Sequence, residues 1–245
     1  MGLWVIKRGD PRVAYLEKKD KRLSTVFDAV GDIVHEDFSD GYSFVVQEIV
    51  GQMISGHVAE ILCNRLVNLC GGEITPKTIS RFPASELRNI GLSRPKCQYI
   101  LGFTEAVLSG ELVLADLEPL SDADAKKRLL AVKGIGNWTA QMYLLCVLKR
   151  DDILPTGDKA FLAAYKWLYE TEDVSRAAVE KRCAKWSPYS SVATLYMYHA
   201  NAYGLLARPW RELKKELAKK KGSAAASRDQ LRATYPDAWL LYFGQ

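Results

Sequence analysis

Asp158 stands in Leu154-Pro-Thr-Gly-Asp-Lys159, a turn-rich loop before a helical pattern that starts near Phe161. A carboxylate there has two uses. It can accept the unpaired amides of a helix start, or, in a water-poor pocket, stabilise positive charge that develops as a bond breaks. Position alone favours the cap. Asp151 and Asp152 follow Arg150 at a helix end, where a solvated turn accounts for them. The second chemical feature is Leu129 to Leu145, LLAVKGIGNWTAQMYLL. Gly134 and Gly136 flank Ile135 in a tight turn between two helical patterns. Glycine serves where φ is positive or where something must approach the backbone closely. The turn opens on a helix N-terminus, whose first amides lack partners and whose dipole is positive. Such an end accepts a phosphate, and a backbone grip reads no sequence. A glycine cap at an ordinary helical corner is the plainer account of a bare Gly-x-Gly. Val132 before it and Trp138-Thr139-Ala140 after it make the string rarer.

The elements that must hold these residues read as nearly all helix. Tyr42, Val45, Val46, Ile49, Val50, Met53 and Ile54 fall on one helical stripe, and Val58, Ile61, Leu62, Leu66 and Leu69 on a second. Thr75-Pro76 opens a short helix, and Pro95 a longer one reaching Leu108. Ser121 to Asp124 has a capping-box-like signature for a helix running to Val132. Asn137 is the expected cap of the next, Trp138 to Leu148. Helical patterns also cover Phe161–Tyr169, Val174–Trp186 and Ser191–Tyr203. Alternating strand patterns are rare, and Glu111 to Leu114 is too short to alter the class.

Bulk properties set limits. The 245 residues suffice for one large domain or two small ones, and a net charge of +5 is compatible with a polyanion without establishing one. No apolar run approaches the roughly 20 residues of a membrane span, and the N-terminus carries no signal-peptide pattern. The five cysteines, Cys63, Cys70, Cys97, Cys146 and Cys183, show no CxxC spacing. Zinc and iron–sulfur ligation are therefore not expected, and a reducing, cytoplasmic setting is.

The hairpin string resembles the helix–hairpin–helix of the DNA glycosylase superfamily that includes endonuclease III, and GIG-x-W-T-A looks like its 3-methyladenine DNA glycosylase II branch. Glu48-Ile-Val-Gly-Gln-Met-Ile-Ser55 is similar to that branch's first-helix motif, Leu92-Ser-Arg-Pro-Lys-Cys97 resembles a second, weaker hairpin, and Trp186-Ser-Pro-Tyr-Ser-Ser-Val-Ala193 resembles its W-x-P-x-R-S-x-A motif. The four matches occur in the family's order between about residues 40 and 200. Ser190 replaces the usual arginine, and Met142 stands at the family's aromatic position.

The resemblance implies an all-α fold of two helical subdomains flanking a DNA- and base-binding cleft. Residues 1–221 would form the glycosylase domain, with the N- and C-terminal helices in one subdomain and about 45–150 in the other; 222–245 would be a C-terminal extension. It implies a monofunctional DNA glycosylase that removes damaged, alkylated purines from double-stranded DNA in base excision repair, acting as a monomer away from membranes. Asp158 takes the catalytic role by its interval from Trp138. It would stabilise the charge left on the sugar when the N-glycosidic bond breaks. Trp138 and Tyr198 would stack on the flipped base. Met53 would fill the gap in the DNA, with Gln52 beside it on the bases; core packing is the rival for Met53 and Tyr198. Lys133, Gly134, Ile135, Gly136 and Thr139 would bind the DNA backbone. No cofactor is required, although the family's monovalent K⁺ or Na⁺ would sit on the carbonyls of Leu130, Val132 and Ile135. Bifunctional relatives carry a nucleophilic lysine where Trp138 stands, which argues against the alternative of a glycosylase/lyase for oxidised bases. A non-enzymatic DNA-binding module is the other alternative, and it would need neither Asp158 nor the aromatics.

Overall fold

Apolar side chains at three- and four-residue intervals share one face of a 3.6-residue helix, and burying those faces builds this molecule. A computed structural model describes residues 3–36, 38 and 40–220 of the chain. The expected extension at 222–245 lies outside the described residues. Contacts divide these into two units, residues 3–36 with 151–220, and residues 38 and 40–150. Among the described residues no helix is long and apolar enough to cross a membrane.

The first unit opens with β1 (Leu3–Ile6), α1 (Pro11–Lys19), α2 (Lys21–Val30) and β2 (Ile33–Glu36). The strands pair antiparallel, with Val5 opposite Val34 and Ile6 opposite Ile33. Ile6 and Ile33 are buried and the two valines exposed, the alternation of a one-sided sheet. This ribbon and the two helices inside it were not legible in the sequence. Four-residue strands are too short to display their period.

The second unit runs α3 (Gly41–Gly51), α4 (Gly56–Leu69), α5 (Pro76–Ile79), α6 (Ala84–Asn89), α7 (Arg94–Leu108), α8 (Asp122–Leu130) and α9 (Asn137–Met142). Thr75 and Thr78 form a reciprocal capping box at α5. The buried α3 packs on α4, α7 and α9. Its apolar stripe was expected to reach Ile54; the helix stops at Gly51, and Gln52 and Met53 leave it. The helix expected from Trp138 to Leu148 also breaks, with a π-type turn over Tyr143–Val147. Such turns inside helices are rare and recur at functional sites.

The chain then returns to the first unit with α10 (Lys159–Tyr169), α11 (Arg176–Cys183), α12 (Ser190–Ala202) and α13 (Trp210–Lys220). Nearly all of α12 is buried, and it packs on α10, α2 and α1. A helix buried on all sides is a core helix, which explains why polar Ser190, Ser191 and Thr194 within it need partners.

Candidate active site

The hairpin links α8 to α9 within the second unit. The Val132 amide bonds the Leu129 carbonyl at 3.1 Å, and the Ile135 amide bonds the Val132 carbonyl at 3.1 Å. Ile135 is buried and plugs the turn, while Lys133 is exposed. The two glycines have different explanations. Gly134 has φ +99°, and a Cβ there would run into Tyr99 of α7, so the protein itself demands glycine. Gly136 has φ −87° and open space where a Cβ would point. Neither the backbone nor packing requires glycine at that position.

Gly136, not Asn137, is the N-cap of α9, and no side chain caps it. The Asn137 side chain instead donates from Nδ2 to Gln141 Oε1 at 3.2 Å. A helix start without a side-chain cap has donors to offer a ligand. Trp138, in the first turn, is half-buried. Thr139 is 2% exposed; its side chain lies inside, so the contact with DNA expected there would fall to its backbone amide. Met142 and Tyr143 are likewise buried, Tyr143 edge-on to Phe44 with centroids 6.2 Å apart. Burial pushes the Tyr143 phenol up to about 12.

The end of α3 carries the second feature of this unit. The Ile54 amide reaches the Gly51 carbonyl at 3.4 Å. Between them Gln52 has φ −54°, ψ 127° and Met53 has φ +59°. This is the pattern of a type II turn with methionine where glycine or asparagine is preferred. A left-handed residue with a side chain costs about 1 kcal/mol. Met53 is 89% exposed, so burial does not offset that cost, and core packing is not its role. Gln52 was expected to face DNA bases. In the protein alone its Nε2 donates to the Gly134 carbonyl at 3.1 Å, tying this turn to the hairpin.

Asp158 belongs to the first unit. It is the N-cap of α10, and its Oδ1 accepts the Phe161 amide at 2.7 Å. The residue is 8% exposed. The cap and a chemical role are compatible, because the helix start fixes the carboxylate in place. The segment before the loop is stitched to α12. The Ser191 amide bonds the Asp151 carbonyl at 3.0 Å, the Ile153 amide bonds Ser191 Oγ at 2.8 Å, and Thr194 Oγ1 donates to the Ile153 carbonyl at 3.4 Å. Asp152 accepts the Ser187 hydroxyl at 2.5 Å and the Ser190 amide at 3.2 Å. Asp151 pairs with Arg12 at 2.9 Å. Both aspartates thus have structural duties, and Ser190, in place of the family's arginine, helps to anchor the loop. Sequence reasoning missed Ser191 and Thr194 as supports; polar residues in an otherwise apolar helix were the available signal.

The same motif's Trp186 is fully buried, and its indole N–H donates to Asp20 at 3.1 Å. Tyr169 also donates to Asp20, and Lys185 Nζ lies 3.0 Å away. Burial opposes ionisation of Asp20, but the bonds from Tyr169, Lys185 and Trp186 outweigh it and hold the carboxyl below its ordinary 3.8. Tyr198 is 3% exposed in α12, a core position and not an open stacking surface.

Comparisons with known proteins bear on the whole arrangement. The family model described as HhH-GPD superfamily base excision DNA repair protein matches residues 46–188. The Bacillus subtilis protein YfjP is 28% identical over 167 residues, and the alignment covers 65% of this chain and 58% of that protein. The chain thus spans less than two thirds of that relative's length. DNA-3-methyladenine glycosylase 1 of Schizosaccharomyces pombe is 26% identical, over 71% of this chain and 78% of its own. In structure, the DNA-3-methyladenine glycosidase of Bacillus halodurans superposes with a TM-score of 0.75 at 30% identity, covering 88% of this chain and 99% of that one. A family match that runs from the turn-bearing α3 through both hairpins and the Asp158 loop to the Trp186 motif settles the ancestry: the chain belongs to the HhH-GPD superfamily of base excision DNA repair proteins.

Proposed function

We propose that this protein is a monofunctional DNA glycosylase that hydrolyses the N-glycosidic bond of alkylated purines in duplex DNA, working as a monomer. The observation that carries this reading is Asp158, a buried carboxylate fixed by the Phe161 amide in a chain of this superfamily. Glycosidic cleavage leaves positive charge on the sugar. A carboxylate held in place beforehand interacts more strongly with that charge than with the neutral substrate, and so lowers the barrier. A base already cationic by alkylation leaves readily, so no dedicated general acid is required. Trp138 offers the base a ring, on which a cationic purine gains cation–π attraction. The uncapped α9 start and the open space at Gly136 suit a phosphate, and Lys133 adds charge. Met53 supplies the wedge that replaces the displaced base.

The relatives' names support the alkylated substrate class. Trp138 in place of a nucleophilic lysine favours simple hydrolysis over the lyase reading. Monovalent-ion binding at the hairpin also fits. Among the described residues the carbonyls of Leu130 and Ile135 accept no backbone amide, and that of Val132 accepts one, leaving a lone pair. K⁺ or Na⁺ held by these three would add positive charge beside the phosphate. The test is a panel of duplexes, each with a single lesion. Release of an alkylated purine, without strand nicking or borohydride trapping, is expected. Nicking with a trapped adduct would establish a lyase, and binding without release a non-enzymatic module.

A further inference from the structure

The type II turn at Gly51–Ile54 and the hairpin are joined across 82 residues of sequence, from Gln52 to Gly134, and three side chains link them inside one unit. Gln52 Nε2 donates to the Gly134 carbonyl at 3.1 Å. Lys96 Nζ donates to the Val50 carbonyl at 2.8 Å, at the frayed end of α3. Tyr99, one helical turn after Lys96 on the same face of α7, lies directly against Gly134. Gln52 thus closes a triangle whose corners are the end of α3, the face of α7 and the hairpin. The next residue along is Met53, left-handed and projecting into solvent.

We propose that Gln52 is a positioning residue that sets the reach of Met53 from the hairpin. A wedge is useful only at one distance from the phosphate that the protein grips, because neighbouring base steps are evenly spaced. The Gly134 carbonyl lies in the hairpin itself, two residues before Gly136. A hydrogen bond from Gln52 to that carbonyl therefore registers the wedge against the grip, and it exists before DNA arrives. Lys96 supports the same end from behind. Its half-buried ammonium is costly to desolvate, which lowers its pKa, and its bond to Val50 holds the last turn of α3. The strained conformation of Met53 persists because the chain leading into it is held at Val50 and again at Gln52.

This inference rests on the wedge reading given above, and its test separates the two. Gln52→Met keeps the size of the side chain and removes the donor. The probe is a duplex bearing a tetrahydrofuran abasic site with 2-aminopurine beside it, whose fluorescence rises when the stack opens and which needs no chemistry. The wild-type protein should raise the fluorescence. Gln52→Met should lose most of that rise and release an alkylated purine about tenfold more slowly in single turnover, the scale of one hydrogen bond. Its affinity for undamaged duplex should change less than twofold. Gln52→Lys, which keeps a donor, should restore most of the rise. Adding Gln52→Met to Met53→Ala should cost little more, because Gln52 acts through Met53. An equal loss in both backgrounds would mean that Gln52 acts on the bases itself and would overturn the proposal. So would a wild-type protein that leaves the stack closed. Stack opening without base release would sink the glycosidase reading alone.

Discussion

Asp158→Asn separates the chemical role proposed for this residue from its structural one. Asparagine is as good an N-cap as aspartate, so its Oδ1 keeps the Phe161 amide that Asp158 now holds at 2.7 Å. Only the charge leaves. Its interaction with the α10 dipole is worth about 0.3–1 kcal/mol, a fall in Tm of about 1–4 °C for a chain of this size. The catalytic term is larger. Asp158 is 8% exposed, and an effective dielectric of about 20 suits such a site. At about 4 Å a carboxylate and a sugar cation then attract by about 4 kcal/mol, or about a thousandfold in rate. The expected loss is therefore about 100- to 1,000-fold in single-turnover release of an alkylated purine, with duplex binding intact.

Asp158→Ala supplies the contrast. It removes cap and charge together, costing about 1 kcal/mol more in stability, yet its rate should match that of the asparagine variant. If Asp158→Asn retains half the wild-type rate, the carboxylate is a cap and nothing else. If the alanine variant is much slower than the asparagine variant when both are folded, the cap geometry and not the charge carries the chemistry.

Four further outcomes are expected. Gly136→Arg should leave Tm nearly unchanged, because a Cβ there meets nothing within 4 Å, while weakening binding to damaged and undamaged duplexes alike in a gel-shift titration; loss confined to one sequence context would contradict a backbone grip. Gly134→Ala should destabilise the protein by about 1–3 kcal/mol in urea unfolding, because φ +99° and Tyr99 both oppose a side chain. Asp20→Ala should lower stability by about 2–5 kcal/mol by stranding Tyr169 and Trp186. Because the folded Asp20 pKa is depressed, its stabilisation is complete above about pH 4 and fades as pH falls through the folded value, so the wild-type advantage in Tm should shrink in acid. A high-resolution DNA complex should show K⁺ or Na⁺ on the carbonyls of Leu130, Val132 and Ile135; carbonyls turned away from a common centre would end that assignment.

The sequence disclosed the fold class and the family because both are written in local patterns. Helical periodicity is a local signal that marks most of the helices, and Gly-Ile-Gly followed by Trp-Thr-Ala is a contiguous string. What stayed hidden was set by contacts distant in sequence. The β1–β2 ribbon is two four-residue strands whose pairing, Leu3 with Glu36, closes over the whole of α1 and α2. The stop of α3 at Gly51 was masked because Met53 and Ile54 continue the apolar stripe. The inward turn of Thr139 could not be read from a position that only a neighbour-by-neighbour account of α9 resolves. Asp20 gave no chemical signal at all, since its partners Tyr169, Lys185 and Trp186 lie about 150 residues away.

The residues that say most about function are those the fold itself does not require. Gly134 is explained from within, by its φ and by Tyr99, and would be glycine in any protein with this corner. Gly136 is not: alanine would fit its backbone and its surroundings. Met53 is the opposite case, a large apolar side chain at a turn position that prefers glycine, exposed where burial gives no return. One position lacks a side chain it could hold, and the other keeps one that stability does not favour. Both depart from what folding alone would select, and both lie in one unit, joined through Gln52 and the Gly134 carbonyl. On the proposed reading, a surface that withdraws at one point and projects at another suits a duplex with a base displaced, where a backbone approaches closely and a gap in the stack waits to be filled.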